Sequence, residues 1–286
     1  MSPQYLDPDR VHHFIVNALE EDHGDGDHTS IGSIPADRQK KAKLLVKDEG
    51  ILAGVEMARL IFQHVNPAID MHIDISDGKP VVPGDVAFVV RGNARDILGA
   101  ERLVLNCMQR MSGIATYTHR LNSLINGSGA RLMDTRKTTP NFRLAEKWAV
   151  AIGGGINHRI GLYDMVLLKD NHVDYAGGIK NAIQSTLTYL ESIGKPLKIE
   201  IEVRNLRELE EVLDTGGVHR IMLDNMLPSD IKQAIKMIAG KYETEASGGI
   251  TEKTIREIAE TGVDYISVGA LTHSYKSLDL SLKATE

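Results

Sequence analysis

Six short apolar segments alternate with amphipathic helix candidates along the second half of this sequence. The apolar segments cover residues 131–133, 165–168, 198–203, 220–223, 244–246 and 265–268. Between them, residues 206–213 and 231–238 show helical spacing of apolar side chains. Strands that alternate with helices in this way form a parallel sheet, because a helix is the usual connection between parallel neighbours. The pattern therefore predicts an α/β sheet, either open or closed into a barrel.

The first 91 residues follow a different pattern. Short strand candidates occupy residues 42–47, 71–75 and 85–90, and a helix candidate runs from about residue 54 to 65. Turn signals such as Asp77-Gly78 separate these elements. This part of the chain is therefore predicted to be a small α+β domain.

A helical pattern connects the two parts. Apolar residues recur at helical spacing from about residue 93 to 126, and the dipeptide Ser112-Gly113 interrupts them. The interruption predicts two consecutive helices. We place the domain boundary there, so that residues 1–112 form the small domain with its bridging helix and residues 113–286 form the α/β domain.

Composition limits the kinds of partner that the chain can have. A net charge of -6 argues against a broad surface for nucleic acid or membranes, so any anion must be recognised by a local cluster of cations. The sequence has one cysteine, Cys107, and neither an export segment nor an apolar run of membrane length. We therefore expect a cytoplasmic protein with small-molecule partners. Cys107 lies in a helical pattern and is predicted to be part of the core.

Polar residues and glycines follow the ends of the predicted strands. In parallel α/β barrels the loops after the strands form the active site, and the last two of these loops commonly hold a phosphate group. Here Ser247, Gly248 and Gly249 follow one strand, and Gly269 and Ala270 follow the next. Either glycine loop alone is an ordinary strand-to-helix turn, but the pair predicts a phosphate site.

Two carboxylates, Glu202 and Asp224, end neighbouring strands in apolar surroundings. Such a pair can hold Mg²⁺, accept hydrogen bonds from ribose hydroxyls, or do both. The alternative is a salt bridge to a nearby cation, and the phosphate loops favour the functional interpretation. Glu200 lies two residues before Glu202 and should share its face of the strand, which makes it a weaker candidate.

Five cationic side chains cluster in the segment from residue 136 to 169. They are Arg136, Lys137, His158, Arg159 and Lys169. Arginine and lysine are rarely buried without a partner, so a cluster at strand ends needs anions. The planar fork of arginine suits a carboxylate, while lysine suits phosphate or pyrophosphate. A His-Arg pair in a loop is usually exposed and without a functional role, but the other cations nearby make an anion site the better interpretation.

These residues lie in segments that resemble a known family. The segments DTRKTTPNFRLAEKWAVAIGGGINHR, LLKDNH, IEIEVRNL, IMLDNM, EASGGIT and VGALTHS together are similar to quinolinate phosphoribosyltransferase, the carboxylating nicotinate-nucleotide pyrophosphorylase of NAD biosynthesis. The resemblance implies a small open α/β sandwich followed by an incomplete α/β barrel of about six parallel strands. It also implies a homodimer, or a hexamer built from dimers, with active sites shared between subunits.

The resemblance further implies the reaction. Quinolinate and phosphoribosyl pyrophosphate, with Mg²⁺, would give nicotinate mononucleotide, pyrophosphate and CO₂. Glu202 and Asp224 would bind the metal and the ribose, and Lys137 and Lys169 would lie between quinolinate and pyrophosphate; these four form the implied catalytic set. The implied substrate-binding residues also include Thr135, Arg136, His158 and Arg159, Arg102 from a neighbouring subunit, and Ser247, Gly248, Gly249, Gly269 and Ala270 around the 5′-phosphate.

Two other functions remain open from the sequence. A related enzyme that uses the same ribosyl donor with another acceptor would keep the carboxylates and glycine loops, but it need not keep every acceptor-binding cation. A non-catalytic barrel that senses a phosphorylated metabolite would need the glycine loops but not the carboxylate pair. The carboxylate pair Glu202 and Asp224 argues against the sensor, and the full set of cations argues against another acceptor. Both observations therefore favour the quinolinate reaction.

Overall fold

The computed structural model describes residues 6–285, and these form two compact units. The first unit contains the residues up to His119, together with Lys137–Gly154 and the residues from Ala270 onward. The second unit contains Arg120–Arg136 and Gly155–Gly269. We call them the antiparallel unit and the parallel unit. Within residues 6–285, no helix combines the length and the apolar content that a membrane span requires.

Nine elements precede residue 125. In chain order they are α1 (Pro8–His23), α2 (His28–Ser33), β1 (Gln39–Val46), β2 (Gly50–Ile51), α3 (Val55–Val65), β3 (Asp70–Ile73), β4 (Pro80–Val81), β5 (Val86–Asn93) and α4 (Ala94–Leu124). The remaining elements are β6 (Arg131–Met133), α5 (Arg143–Ile152), β7 (Val166–Leu168), α6 (Asp170–Tyr175), α7 (Ile179–Ser192), β8 (Ile199–Val203), α8 (Leu206–Thr215), β9 (Arg220–Asp224), α9 (Pro228–Ile238), β10 (Glu243–Ser247), α10 (Ile255–Ala259), β11 (Tyr265–Ser267), α11 (Ala270–His273) and β12 (Leu280–Thr285).

The parallel unit contains a six-stranded sheet in the order β6-β11-β10-β9-β8-β7, in which all pairings are parallel. This is the strand order of an α/β barrel that is opened between its first two strands, because β6 pairs with β11 and not with β7. On its other side β6 meets Ile156, whose backbone N–H donates to Leu132 at 2.8 Å. The predicted fold class and all six predicted strands are therefore confirmed.

Alternation along the strands gives this sheet a polar inner face. In β8, all five residues are buried, although two of them are glutamates. Side chains alternate between the faces of a strand, so Ile199, Ile201 and Val203 lie on one face while Glu200 and Glu202 lie on the other. A strand with buried carboxylates needs cations nearby, and the neighbouring strands supply them.

The antiparallel unit is centred on a four-stranded sheet in the order β12-β1-β5-β3. Phe62 of α3 packs against Phe88 of β5, with their ring centroids 6.2 Å apart. The C-terminal strand β12 pairs with β1, from Lys41 with Thr285 to Val46 with Leu280. The predicted domain boundary divides the chain once, between residues 112 and 113. The compact units instead divide it several times, because residues 137–154 and 270–285 belong to the antiparallel unit.

The prediction of two bridging helices is wrong, because α4 is a single helix of 31 residues. Ser112 and Gly113, which were expected to interrupt the helix, instead contact neighbouring segments. The hydroxyl of Ser112 accepts from the backbone N–H of Ala53 at 2.9 Å and donates to its carbonyl at 3.0 Å. Gly113 allows close approach, since a Cβ atom there would lie 2.2 Å from the carbonyl oxygen of Lys276. Cys107 is fully buried in the same helix, and burial raises the pKa of its thiol to about 12.

Candidate active site

Glu202 and Asp224 lie at the C-terminal ends of the adjacent parallel strands β8 and β9. Burial raises the pKa of Glu202, and the negative charge of Asp224 raises it further. Lys169 acts in the opposite direction, with its Nζ atom 3.8 Å from the Glu202 carboxylate. The salt bridge that the sequence left open as an alternative is therefore present. Two carboxylates that influence each other still leave an acidic centre suited to a hard cation or to hydroxyl groups.

Ser247 is the last residue of β10, and Gly248 and Gly249 follow it. Both glycines have positive φ, 93° and 60°, which L side chains rarely adopt. The hydroxyl of Ser267, at the end of β11, donates to the hydroxyl of Ser247 at 3.0 Å. The structure thus brings the ends of β10 and β11 together, and Gly269 follows β11 in the same unit. Ala270 begins α11, which belongs to the antiparallel unit.

The cations of the parallel unit are held close to one another. Burial lowers the pKa of Arg159, and the positive charge of Arg136 lowers it further. Arg159 donates to the carbonyl of Met165 at 3.1 Å, which fixes its guanidinium. Thr135 and Arg136 directly follow β6 and its buried neighbour Asp134. Two guanidinium groups that repel each other form a natural site for an anion, because an anion would relieve that repulsion.

Asp134 orients the loop that carries His158. Its carboxylate accepts the backbone N–H of His158 at 2.8 Å and the side-chain amide of Asn157 at 2.7 Å. Asp134 has no exposed surface. A buried carboxylate with charge-assisted hydrogen bonds is a strong anchor, so the His-Arg pair is a fixed part of the parallel unit rather than surface decoration.

A buried charge network joins His158 to three strands of the parallel sheet. The Nε2 atom of His158 lies 3.0 Å from Glu200 of β8 and 3.4 Å from Glu245 of β10. Arg220 of β9 lies 3.8 Å from Glu200 and 3.3 Å from Glu245. Glu200 and Glu245 have no exposed surface. The network therefore fills the polar inner face of the sheet with charges of both signs.

Mutual contacts set the pKa values within this network. Burial alone would lower the pKa of His158, but its contacts with Glu200 and Glu245 outweigh burial and raise the pKa to about 9. Burial and the charge of Glu245 raise the pKa of Glu200 to about 7. The pKa of Glu245 is lowered despite its burial, because contact with His158 and the positive charge of His158 outweigh the effect of burial. The Nδ1 atom of His158 lies 2.7 Å from the backbone nitrogen of Arg159, so Nε2 is the ring nitrogen that faces the two carboxylates.

The donor atoms of His158, Glu200 and Glu245 lie within 4.8 Å of one another, as in a metal site. Arg220 argues against that role. Its guanidinium already supplies positive charge to both carboxylates, and its pKa is raised by them against the effect of burial. A divalent cation beside Arg220 would be repelled, so we assign this cluster to support of His158.

The other predicted residues belong to the antiparallel unit. Lys137 lines a cavity of about 480 Å³, with Arg110, Thr138, Thr139, Thr272, His273, Tyr275 and Ser277. Arg110 lies over the rings of Phe142 and Tyr275 and donates to Thr139 at 2.9 Å. Cations and hydroxyl groups around one cavity suit an oxyanion. Arg102 is exposed on α4.

Asp134, Arg220 and Glu245 support the site, although no motif in the sequence predicts a role for them. Asp134 stood at a strand end and was therefore visible as a candidate, but nothing in the sequence indicated its partner. Arg220 lies at the start of β9 and Glu245 in the middle of β10, away from the C-terminal strand ends where site residues are expected. The alternation that placed Glu200 on the inner face is the signal that could have located them.

The raised pKa of His158 predicts how stability should depend on pH. A histidine whose pKa is higher in the folded state stabilises the fold fully below its unfolded pKa of about 6.5, and this contribution disappears as pH rises through the folded pKa. We therefore expect the midpoint of thermal unfolding to fall between pH 6.5 and pH 9, by an amount equivalent to a few kcal/mol. Calorimetry across this range measures it. His158→Gln, which cannot titrate, should show a flatter profile, and an equally steep fall in that variant would contradict the assignment.

Comparison with known proteins gives consistent matches along most of the chain. Residues 27–112 match the family model of the quinolinate phosphoribosyl transferase N-terminal domain, and residues 114–283 match that of the C-terminal domain. A quinolinate phosphoribosyltransferase [decarboxylating] of Nicotiana tabacum is 47% identical over 284 residues, which cover 94% of this chain and 81% of the relative. A chloroplastic nicotinate-nucleotide pyrophosphorylase [carboxylating] of Arabidopsis thaliana is also 47% identical, with the same coverage.

A solved structure agrees with these matches. The nicotinate-nucleotide pyrophosphorylase from Francisella tularensis superimposes with a TM-score of 0.89 at 40% sequence identity, covering 98% of this chain and 97% of that one. Both domain models and the full-length relatives therefore point to one family, in accordance with the resemblance carried by the strand-end segments. The chain belongs to the quinolinate phosphoribosyltransferase family.

Proposed function

We propose that this protein converts quinolinate and phosphoribosyl pyrophosphate to nicotinate mononucleotide, pyrophosphate and CO₂, in the de novo synthesis of NAD. The proposal is carried by one observation. A single parallel unit holds the cation pair Arg136 and Arg159 and the carboxylate pair Glu202 and Asp224. A dicarboxylate acceptor needs the first pair, and a ribosyl donor needs the second. The family assignment supports the same reaction.

The roles of the cations follow from their chemistry. We propose that Arg136 and Arg159, with the adjoining Thr135, bind the two carboxylates of quinolinate, and that His158 holds Arg159 in place, because both ring nitrogens of His158 already contact Glu200 and the backbone of Arg159. Binding would relieve the repulsion that lowers the pKa of Arg159. Lys169, which pairs with Glu202, would lie between quinolinate and the pyrophosphate group. Lys137 would hold the pyrophosphate group, because it lines a cavity of cations and hydroxyls.

Glu202 and Asp224 are the residues that we propose to hold Mg²⁺ and the ribose hydroxyls. Oxygen donors suit this metal, and the effect of Asp224 on the pKa of Glu202 indicates two like charges that a cation would stabilise. When bound, the metal would stabilise the negative charge of the departing pyrophosphate. We propose that Ser247, Gly248, Gly249, Gly269 and Ala270 bind the 5′-phosphate.

Chemistry in this site requires positioning and charge more than a general base. The ring nitrogen of quinolinate attacks the anomeric carbon while the bond to pyrophosphate breaks. The ring becomes a pyridinium, which withdraws electrons, so the carboxylate at C2 departs as CO₂ and C2 takes up a proton. Arg136 and Arg159 orient the ring through its carboxylates, and His158 holds the segment that carries Arg159. Lys137 and Lys169 stabilise the charge that accumulates on the leaving group.

The direct test is an assay with the purified protein. Quinolinate, phosphoribosyl pyrophosphate and Mg²⁺ are supplied, and nicotinate mononucleotide, pyrophosphate and CO₂ are measured. Omission of Mg²⁺ tests the metal. Equal amounts of the three products would support the proposal. Product formation only with another acceptor would favour a related phosphoribosyltransferase, and binding without turnover would favour a phosphometabolite sensor.

The cation cluster predicts strong selectivity between acids. Nicotinate lacks the second carboxylate, so part of the cluster would be desolvated without its partner. A charge-assisted contact contributes roughly 1.5–3 kcal/mol, so kcat/KM for nicotinate should be lower by about tenfold to a hundredfold or more. Steady-state kinetics with both acids measure this ratio. Comparable values would contradict the assignment of Arg136 and Arg159 to the two carboxylates.

We also propose that the protein acts as a homodimer or as a hexamer of dimers, with Arg102 entering the site of a neighbouring subunit. The exposure of Arg102 on α4 supports this proposal. Light scattering measures the oligomeric state, and a monomeric active enzyme would contradict the proposed assembly.

We propose the cytoplasm as the location, and the single buried cysteine supports this proposal. The plant relatives are named as chloroplastic or mitochondrial, so fractionation of the source cells tests this point.

A further inference from the structure

Asn225 has an unusual conformation immediately after β9. It is one of three non-glycine residues with positive φ among the described residues, at 54°. Asparagine tolerates this left-handed region better than most residues, at a modest cost. It follows Asp224 directly, and its side chain is exposed. Packing of the side chain therefore contributes little to stability, and the conformation calls for another reason.

Three contacts connect Asn225 to the acidic centre and to the glycine loop. Its side-chain amide donates to the Oδ2 atom of Asp224 at 2.6 Å. Its backbone N–H donates to the carbonyl of Ser247 at 2.8 Å. A Cβ atom at Gly248 would lie 2.3 Å from the Oδ1 atom of Asn225, so the absence of a side chain at Gly248 leaves room for the amide in this position. Asn225 is thus held between the Asp224 carboxylate and the glycine loop.

These contacts fix the orientation of the amide. A carboxylate accepts only from a donor, so the amide NH₂ faces Asp224 and the amide oxygen faces Gly248. One carboxylate oxygen of Asp224 is then occupied, and the other remains for an external ligand. The carbonyl of Ser247 is anchored by the same residue. A change in the rotamer of the Asp224 carboxylate would therefore disturb the loop, and a change in the loop would disturb the carboxylate.

We propose that Asn225 is a positioning residue that sets the distance and orientation between the Asp224 carboxylate and the Ser247–Gly249 loop. The proposal rests on the proposed function, in which these two groups bind the ribose hydroxyls and the 5′-phosphate of one substrate. The spacing between those groups is fixed by the sugar, so a site that binds both must keep its own two parts in register. Asn225 touches both parts and does not itself need to contact the substrate.

Asn225→Gly is the sharpest variant. Glycine keeps the positive φ and the backbone N–H to Ser247 but removes the amide. We expect the KM for phosphoribosyl pyrophosphate to rise about tenfold or more, since the lost hydrogen bond involves a charged group. The affinity of the free enzyme for quinolinate should stay within about twofold, because that ligand uses other residues. Asn225→Asp, which places a second negative charge beside Asp224, should be worse than Asn225→Gly.

Ala239→Gly is the matched control. Ala239 has φ of 49° at the end of α9 in the same unit, away from the strand ends, so its replacement tests the backbone effect alone. It should leave the KM for phosphoribosyl pyrophosphate unchanged. A similar rise in KM in both glycine variants would overturn the proposal, because it would indicate a general effect of backbone flexibility.

A binding cycle tests the coupling without turnover. Calorimetry with ribose 5-phosphate, without metal, is carried out on the wild type, Asn225→Gly, Asp224→Asn and the double variant. Asn225→Gly should weaken binding about tenfold when Asp224 is present, and by much less in the Asp224→Asn background, because the amide then has no carboxylate to orient. Equal losses in both backgrounds would overturn the proposal.

The two proposals can fail separately. If the wild type binds ribose 5-phosphate and shows the coupling but forms no nicotinate mononucleotide, the proposed function fails and the positioning role stands for a phosphosugar site. If the wild type forms nicotinate mononucleotide and Asn225→Gly has an unchanged KM for phosphoribosyl pyrophosphate, the positioning role fails and the proposed function stands.

Discussion

Replacing Asp224 with alanine should lower kcat/KM for phosphoribosyl pyrophosphate by on the order of a hundredfold or more, while quinolinate binding to the free enzyme stays nearly unchanged. Charged groups that bind a substrate contribute roughly 1.5–3 kcal/mol per hydrogen bond, and Asp224 is proposed to make at least one such bond besides its contact with the metal. Quinolinate is assigned to cations on other segments, so its affinity should not depend on Asp224. Steady-state kinetics and calorimetry with quinolinate separate the two effects.

Glu202→Ala should act in the same direction with one difference. It also removes the carboxylate 3.8 Å from Lys169, so the released ammonium should modestly favour anion binding. Glu210→Ala, which removes an exposed carboxylate from α8 in the same unit, is the control for a general change of charge. The division of roles would be wrong if quinolinate affinity collapsed in Asp224→Ala while the thermal midpoint stayed normal.

Mixing two inactive variants should restore activity if the active site is shared between subunits. Arg102→Ala and Lys137→Ala should each be nearly inactive, because each leaves an anionic substrate group without its cation in a largely desolvated site. In a mixed dimer one site carries both lesions and the other carries neither. Random refolding of equal amounts should therefore give about one quarter of the wild-type sites, since half of the dimers are mixed and each has one intact site.

This experiment has two controls. Each variant refolded alone should remain inactive, and differently tagged copies should show that mixed dimers have formed. If Arg102 served the site of its own chain, every site would carry one lesion or the other. Mixed dimers without activity would then refute the shared site, provided that the wild type refolded in the same way is active.

Much of the architecture could be predicted from local patterns. The alternation of short apolar segments with amphipathic helices predicted all six strands of the parallel sheet. It could do so because the periodicity of apolar residues differs between strands and helices. The same patterns located Glu202, Asp224 and the Ser247 loop at strand ends, since parallel strands end at one edge of the sheet. They failed at Ser112 and Gly113, where packing against Ala53 and Lys276 overrides the usual preference of these residues for turns.

What the sequence by itself determined is the order of the strands along the chain, the polarity of each strand face and the kinds of side chain at the strand ends. Only the tertiary structure decided which of those side chains meet. Glu200, Arg220 and Glu245 contact one another because β8, β9 and β10 are neighbours in a particular register, and His158 reaches two of them from a loop. Asn225 joins Asp224 to Gly248 for the same reason. Contacts between residues 20 or more positions apart depend on pairing and register, and no local pattern encodes either.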